Sequence, residues 1–85
     1  MKVLIPDALR SYTESGCAQG QGSTLAELLT DLNRQYPGIR FRMIDEQDKV
    51  RRHIRIFING EQVDILSQLL NAADEVVIVQ ALSGG

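Results

Sequence analysis

The sequence predicts an α+β domain in which one mixed β-sheet carries a single main helix on one face. Three observations point there. Residues 24–36 hold one apolar stripe at helical spacing, both ends of the chain hold short apolar runs without that spacing, and an Asn-Gly pair at 59–60 closes a run with strand alternation. The chain has 85 residues, 44% hydrophobic and 24% charged, which is the composition of one ordinary globular domain rather than of a disordered chain. A domain of this size has a small core, burying about 60–65% of its unfolded surface.

Taken in order, Val3-Leu4-Ile5 is β-prone and closes at Pro6-Asp7, and Leu9 to Thr13 reads as continued extension, so a first hairpin is expected. Residues 14–22 contain three glycines and read as a loop or a weak second strand. Thr24 to Glu27 forms a capping box, in which the Thr24 hydroxyl accepts the Glu27 amide hydrogen and the Glu27 carboxylate reaches back. Leu25, Leu28, Leu29, Leu32 and Tyr36 follow as one stripe, and Pro37-Gly38 ends a helix of about 12 residues, roughly 18 Å long.

Phe41 to Ile44 is a short mixed segment, and Asp45 to Arg52 is a solvated loop. Ile54 to Ile58 alternates as a strand with its three isoleucines on one face, turns at Asn59-Gly60 and returns through Glu61-Gln62-Val63. Ile65 to Leu70 reads as one short helical turn, and Ala73-Asp74-Glu75 as a polar corner. Val76 to Val79 is a continuous apolar run, the pattern of a strand buried on both faces. Placing the two most apolar strands, first and last, side by side and parallel at the sheet centre produces the β-grasp arrangement. The domain is expected to span 1–81, followed by a flexible tail at 82–85.

Composition narrows the function classes. A net charge of −2 offers no phosphate-neutralising surface, so no nucleic-acid partner is expected. The one cysteine, Cys17, permits no internal disulfide and fits a reducing compartment, the cytoplasm. The apolar run at 3–5 is too short for a signal peptide or a membrane span. Cys17 has no histidine near it in sequence and reads as an inert thiol. The lone His53 lacks a second ligand of its type for zinc. "GQGST" at 20–24 lacks the lysine of a phosphate loop and the third glycine of a dinucleotide motif, and Asp45 to Asp48 lacks calcium-loop spacing. Neither a metal nor a bound organic cofactor is expected. Arg51, Arg52 and Arg55 could orient an acidic partner surface, although charge runs more often only solvate a face.

Three segments carry a resemblance: "IFINGEQV" at 56–63, "DEVVIVQALSGG" at 74–85, and the capped helix "STLAELLTDLNRQYPGI" at 23–39. Together they resemble the ubiquitin-like sulfur carriers of the ThiS/MoaD family over essentially the whole chain. The resemblance implies a protein co-substrate rather than an enzyme. An adenylyltransferase related to ubiquitin-activating enzymes would use ATP and magnesium to adenylate the carboxylate of Gly85, and sulfide or a persulfide would convert it to a thiocarboxylate. Ser83 and Gly84 would thread the tail into the partner, where a Cβ would obstruct close backbone approach. A sulfur-donating enzyme, a downstream sulfur-accepting enzyme and a metalloprotease that exposes the Gly-Gly end complete the implied partners.

The same resemblance sets strand register. With Ile54, Ile56 and Ile58 facing the helix, Phe57 is expected exposed on the opposite face, joined there by Val77, Val79 and Leu82 as an apolar partner-binding patch leading to the tail. The approach Val79-Gln80-Ala81-Leu82 departs from the proline-containing ending of the molybdopterin-synthase small subunit. "RRHIRIFINGEQV" is more similar to carriers of the CysO type, which implies sulfur delivery to cysteine, homocysteine or a sulfur-containing metabolite. A molybdopterin-synthase small subunit and a ubiquitin-like protein modifier are the alternatives.

Overall fold

The computed structural model describes residues 1–81. Five strands form one sheet in the order β2-β1-β5-β3-β4, where β1 is Lys2–Leu4, β2 Cys17–Gln19, β3 Ile54–Ile58, β4 Glu61–Val63 and β5 Glu75–Gln80. The first and last strands lie together at the centre, paired parallel with Val3 opposite Val76, and both outer pairs are antiparallel. This is the expected β-grasp.

The main helix, α2, runs Leu25–Gln35. Its capping box forms as expected: the Glu27 amide donates to Thr24 Oγ1 (3.2 Å) and the Ser23 amide to Glu27 Oε1 (2.8 Å). Leu25, Leu28, Leu29 and Leu32 are buried against Val3, Ile54, Ile56, Val76 and Ile78 from the sheet, and Tyr36 is half-buried at the helix end. The two glycines of "GQGST" serve this packing. A Cβ on Gly22 would lie 2.5 Å from the Leu28 backbone nitrogen, and one on Gly20 would lie 2.6 Å from Leu28 Cδ1. The loop therefore needs glycine to reach the first turn of α2.

Four local expectations are corrected. Leu9 to Thr13 does not continue extended: a 3₁₀ turn at Asp7–Leu9 leads into the short helix α1, Arg10–Thr13. The i,i+4 pair Leu9 and Thr13 is buried while Arg10 and Ser11 face solvent, so burial overrides the strand propensity of Tyr12 and Thr13. Phe41 to Met43 belongs to a third helix, α3, Ile39–Met43, which buries Ile39 and Met43 and leaves Phe41 outside.

Ile65 to Leu70 is a turn followed by an extended stretch, not a helical turn. Its carbonyls are used elsewhere: Leu66 O and Gln68 O accept from the Ala26 and Leu25 amides, both at 2.9 Å, which are N–H groups that the first turn of α2 cannot pair internally. Finally, β5 is not buried on both faces. Val76 and Ile78 are buried, Val77 is half-buried, and Val79 is 38% exposed, because no second layer of the described chain closes that side.

Candidate functional site

Side-chain alternation divides the sheet cleanly. Val3, Ala18, Ile54, Ile56, Ile58, Val76 and Ile78 point to α2, so the alternate residues must form the opposite face. Register then assembles a row across three strands: Leu4 lies opposite Val77, and Val77 lies opposite Phe57. One step along β5, Val79 lies opposite Arg55. Three of the four residues expected in the partner-binding patch, Phe57, Val77 and Val79, thus share one face. Leu82 lies outside the described residues, as do Ser83, Gly84 and Gly85 and the expected tail.

The exposure of Phe57 needs correction. It is half-buried, because its cross-strand neighbours Val77 and Gln62 flank it on a twisted sheet. Leu4, also half-buried, was missed by sequence reasoning. The alternation of Val3 inward and Leu4 outward was the signal that could have found it. Leu4, Pro6, Ala8, Val77 and Val79 line a shallow depression of about 520 Å³ beside the row. The patch is therefore an apolar strip with a concave margin rather than a protruding aromatic ring.

The run-in to β5 is locked by the hairpin turn. Asn59 and Gly60 adopt left-handed backbone (φ 51° and 88°), as a two-residue hairpin of this type requires. Asn59 then bridges to the polar corner: its Nδ2 donates to Asp74 Oδ1 (2.9 Å), its Oδ1 accepts from the Glu75 amide (3.0 Å), and its own amide donates to Glu75 O (2.9 Å). Asp74 also accepts from the Asn71 amide (2.8 Å). The Asn71 amide, followed by the Asn59 side chain, holds the Asp74 carboxyl below its ordinary value. The "NG" and "DEV" motifs are thus two halves of one clamp that sets where the central strand begins.

At its other end β5 stays tied to β3, because the Ala81 amide donates to His53 O (2.7 Å) beyond the Ile54–Gln80 pair. The chain therefore leaves the sheet beside His53. Cys17 is exposed and forms no disulfide on the edge strand. Among the described residues no group of three or more His, Cys, Asp or Glu side chains is placed to hold a metal, and no helix is long and apolar enough to cross a membrane.

A mixed sheet wrapped on one capped helix, with a parallel central pair whose last strand runs out toward the carboxyl end, defines a ubiquitin-like β-grasp domain. The chain belongs to the ThiS family, whose profile matches residues 3–85. It is 34% identical to the sulfur carrier protein CysO of Mycobacterium tuberculosis over 89 aligned positions, which span 98% of this chain and 96% of that one. The crystal structure of M. tuberculosis CysO superposes with a TM-score of 0.90 at 31% identity, covering 95% of this chain and 98% of the other. A chain in the crystal structure of the Amycolatopsis orientalis BexX/CysO complex matches with a TM-score of 0.90 at 30% identity, over 99% and 98% of the two chains.

Proposed function

We propose that this chain is a sulfur carrier protein of the CysO type, which accepts sulfur as a thiocarboxylate on Gly85 and surrenders it as a co-substrate in the biosynthesis of cysteine or a related sulfur compound. The observation that carries the reading is near full-length similarity to CysO combined with a central strand whose exit is anchored at Ala81 and His53.

The chemistry requires two steps. The Gly85 carboxylate attacks the α-phosphorus of ATP in an adenylyltransferase, forming an acyl-adenylate and releasing pyrophosphate with its magnesium. Hydrosulfide then adds to the acyl carbon and AMP leaves, so that a C–S bond replaces the C–O bond to phosphate without net oxidation. Activation is necessary because a free carboxylate is a poor electrophile, whereas the adenylate has a good leaving group. Ser83 and Gly84 thread the tail, and the strip of Leu4, Phe57, Val77 and Val79 docks on the partner together with Leu82. The partners are the adenylyltransferase, a sulfide source and a sulfur-accepting enzyme; a protease enters where residues follow Gly85 in the native precursor. The CysO of A. orientalis has been crystallised in a complex with BexX, which supports a carrier recognised as a folded protein. The curated relatives named as carriers favour this reading over the molybdopterin-synthase and protein-modifier alternatives.

The test is intact-mass spectrometry after incubation with ATP, magnesium, sulfide and a ThiS-family adenylyltransferase. The expected gain equals one sulfur for one oxygen, located on the C-terminal peptide, and deletion of Gly85 should abolish it without changing the melting temperature. A gain placed on Cys17, or one that survives the deletion, would overturn the reading.

A further inference from the structure

A second concave surface adjoins the depression beside the apolar strip, with Ala8 and Gln80 lining both. Leu9, Phe41, Arg42, Arg51, His53 and Gln80 line a pocket of about 300 Å³. The fold builds it deliberately: α3 buries Ile39 and Met43 and thereby turns Phe41 outward, 55% exposed. Arg51 is then fixed against that ring. Its Nε donates to Phe41 O (2.7 Å), its guanidinium stands 4.6 Å from the ring centroid, and its backbone amide donates to Met43 O (2.9 Å).

The lining of the pocket itself holds two arginines and no carboxylate. Arg42, Arg51, Arg52 and Arg55 have no carboxylate within ion-pair distance among the described residues, whereas Arg10, Arg34 and Arg40 are each paired to an aspartate. Of the first four, Arg42 and Arg51 line the pocket beside the strand exit at Ala81, whereas Arg52 and Arg55 line a neighbouring depression with Gln62 and Asp64. An aromatic ring and a preorganised arginine around a small pocket are the composition of an interface anchor rather than of a solvated face.

We infer that this pocket docks an acidic polypeptide segment of a protein partner, with a carboxylate between Arg42 and Arg51 and an apolar side chain on Phe41. Charge complementarity selects that occupant: the cationic rim calls for carboxylates, and the Phe41–Leu9 floor calls for an adjoining apolar group. A nucleic acid fits less well, since a duplex needs a long phosphate-tracking stripe and the neighbouring Asp45, Glu46 and Asp48 interrupt this one. The inference goes beyond the sulfur chemistry and stands whether or not Gly85 is thiocarboxylated.

The test is an NMR titration of the full ¹⁵N-labelled chain with a blocked peptide Glu-Asp-Leu-Glu-Asp, compared with its neutral counterpart Gln-Asn-Leu-Gln-Asn and with inorganic phosphate. Saturable shifts are expected at Phe41, Arg42, Arg51 and His53 with the acidic peptide alone. Affinity should fall about tenfold between about 50 and about 300 mM NaCl. The variant Arg42→Glu changes one exposed side chain of the lining outside the core and should weaken binding at least about fivefold, and Phe41→Ala should do so separately; Arg34→Glu should leave it unchanged. Equal shifts with phosphate would identify a general anion site and overturn the inference. So would shifts spread over Arg34 and the other surface arginines, or no saturable shift.

Discussion

The adjacent residues Ile78 and Val79 provide a stringent test of how the central strand is used. Ile78 points to α2 and is buried, and Val79 points to the outer face. Truncating Ile78→Ala removes a buried branched side chain and leaves a cavity in a small core, at a cost of about 2–5 kcal/mol. For a domain of this length, total stability is about 4–13 kcal/mol and each kcal/mol moves the melting temperature by roughly 4–8 °C. A fall of roughly 10–30 °C, or outright unfolding, is expected.

Val79→Glu forfeits partial burial and some strand preference, about 1 kcal/mol, and the register places the new carboxylate opposite Arg55, where an opposite-charge pair offsets roughly 0.2–1 kcal/mol. Its melting temperature should fall by less than roughly 8 °C. As a carrier it should be impaired: a charge in the docking strip should raise the KM of the adenylyltransferase for the carrier about 5–30-fold, or about 1–2 kcal/mol, the cost of losing a contributing interface residue short of a hot spot. Circular dichroism melts and the rate of thiocarboxylate formation read the two effects separately. If Val79→Glu melts as low as Ile78→Ala, the assignment of faces is wrong. If it is stable and activated normally, the outer face is not the docking surface.

Other perturbations follow from the same geometry. Gly22→Ala drives a Cβ into the backbone at Leu28 and should cost about 1–3 kcal/mol in urea unfolding; an unchanged midpoint would show that the loop has room. Asn59→Ala removes both side-chain bonds of the clamp and strains a left-handed turn position, and should lower stability by about 1–3 kcal/mol with faster hydrogen exchange at Glu75. Asp31, Asp45 and Asp74 all have carboxyls held below the ordinary value of 3.8: Asp31 first by Arg34, Asp45 by the Lys49 and Gln47 amides, Asp74 by the Asn71 amide and Asn59. Because their folded pKa values lie below the unfolded ones, the stability they contribute is fully present above the unfolded value and is lost as pH falls through the folded ones. Melting temperature should therefore drop on acidification below about pH 4, and less steeply for Asp45→Asn.

Much of this was legible in local sequence. The capping box at Thr24–Glu27, the leucine stripe and the Asn59-Gly60 turn are short-range devices whose partners lie within a few residues, so spacing alone reveals them. The same holds for the inward face of Ile54, Ile56 and Ile58, which follows from strand alternation. What failed was segments whose conformation is set by distant partners. Leu9 to Thr13 looks extended until the core claims Leu9 and Thr13 one helical turn apart. Ile65 to Leu70 looks helical until its carbonyls are taken by the amides of Leu25 and Ala26.

The sequence by itself determined four of the five strands, β1, β3, β4 and β5, the main helix and the motif pattern of a ThiS-family chain, because these depend on periodicity and on residues near one another. Only the tertiary structure decided that Leu4, Val77 and Phe57 stand in one row and that Phe57 is half covered by its neighbours. Only it placed Phe41 against Arg51 at the strand exit. Those neighbours come from separate strands and from α3, and chain folding, rather than any local spacing, brings them together.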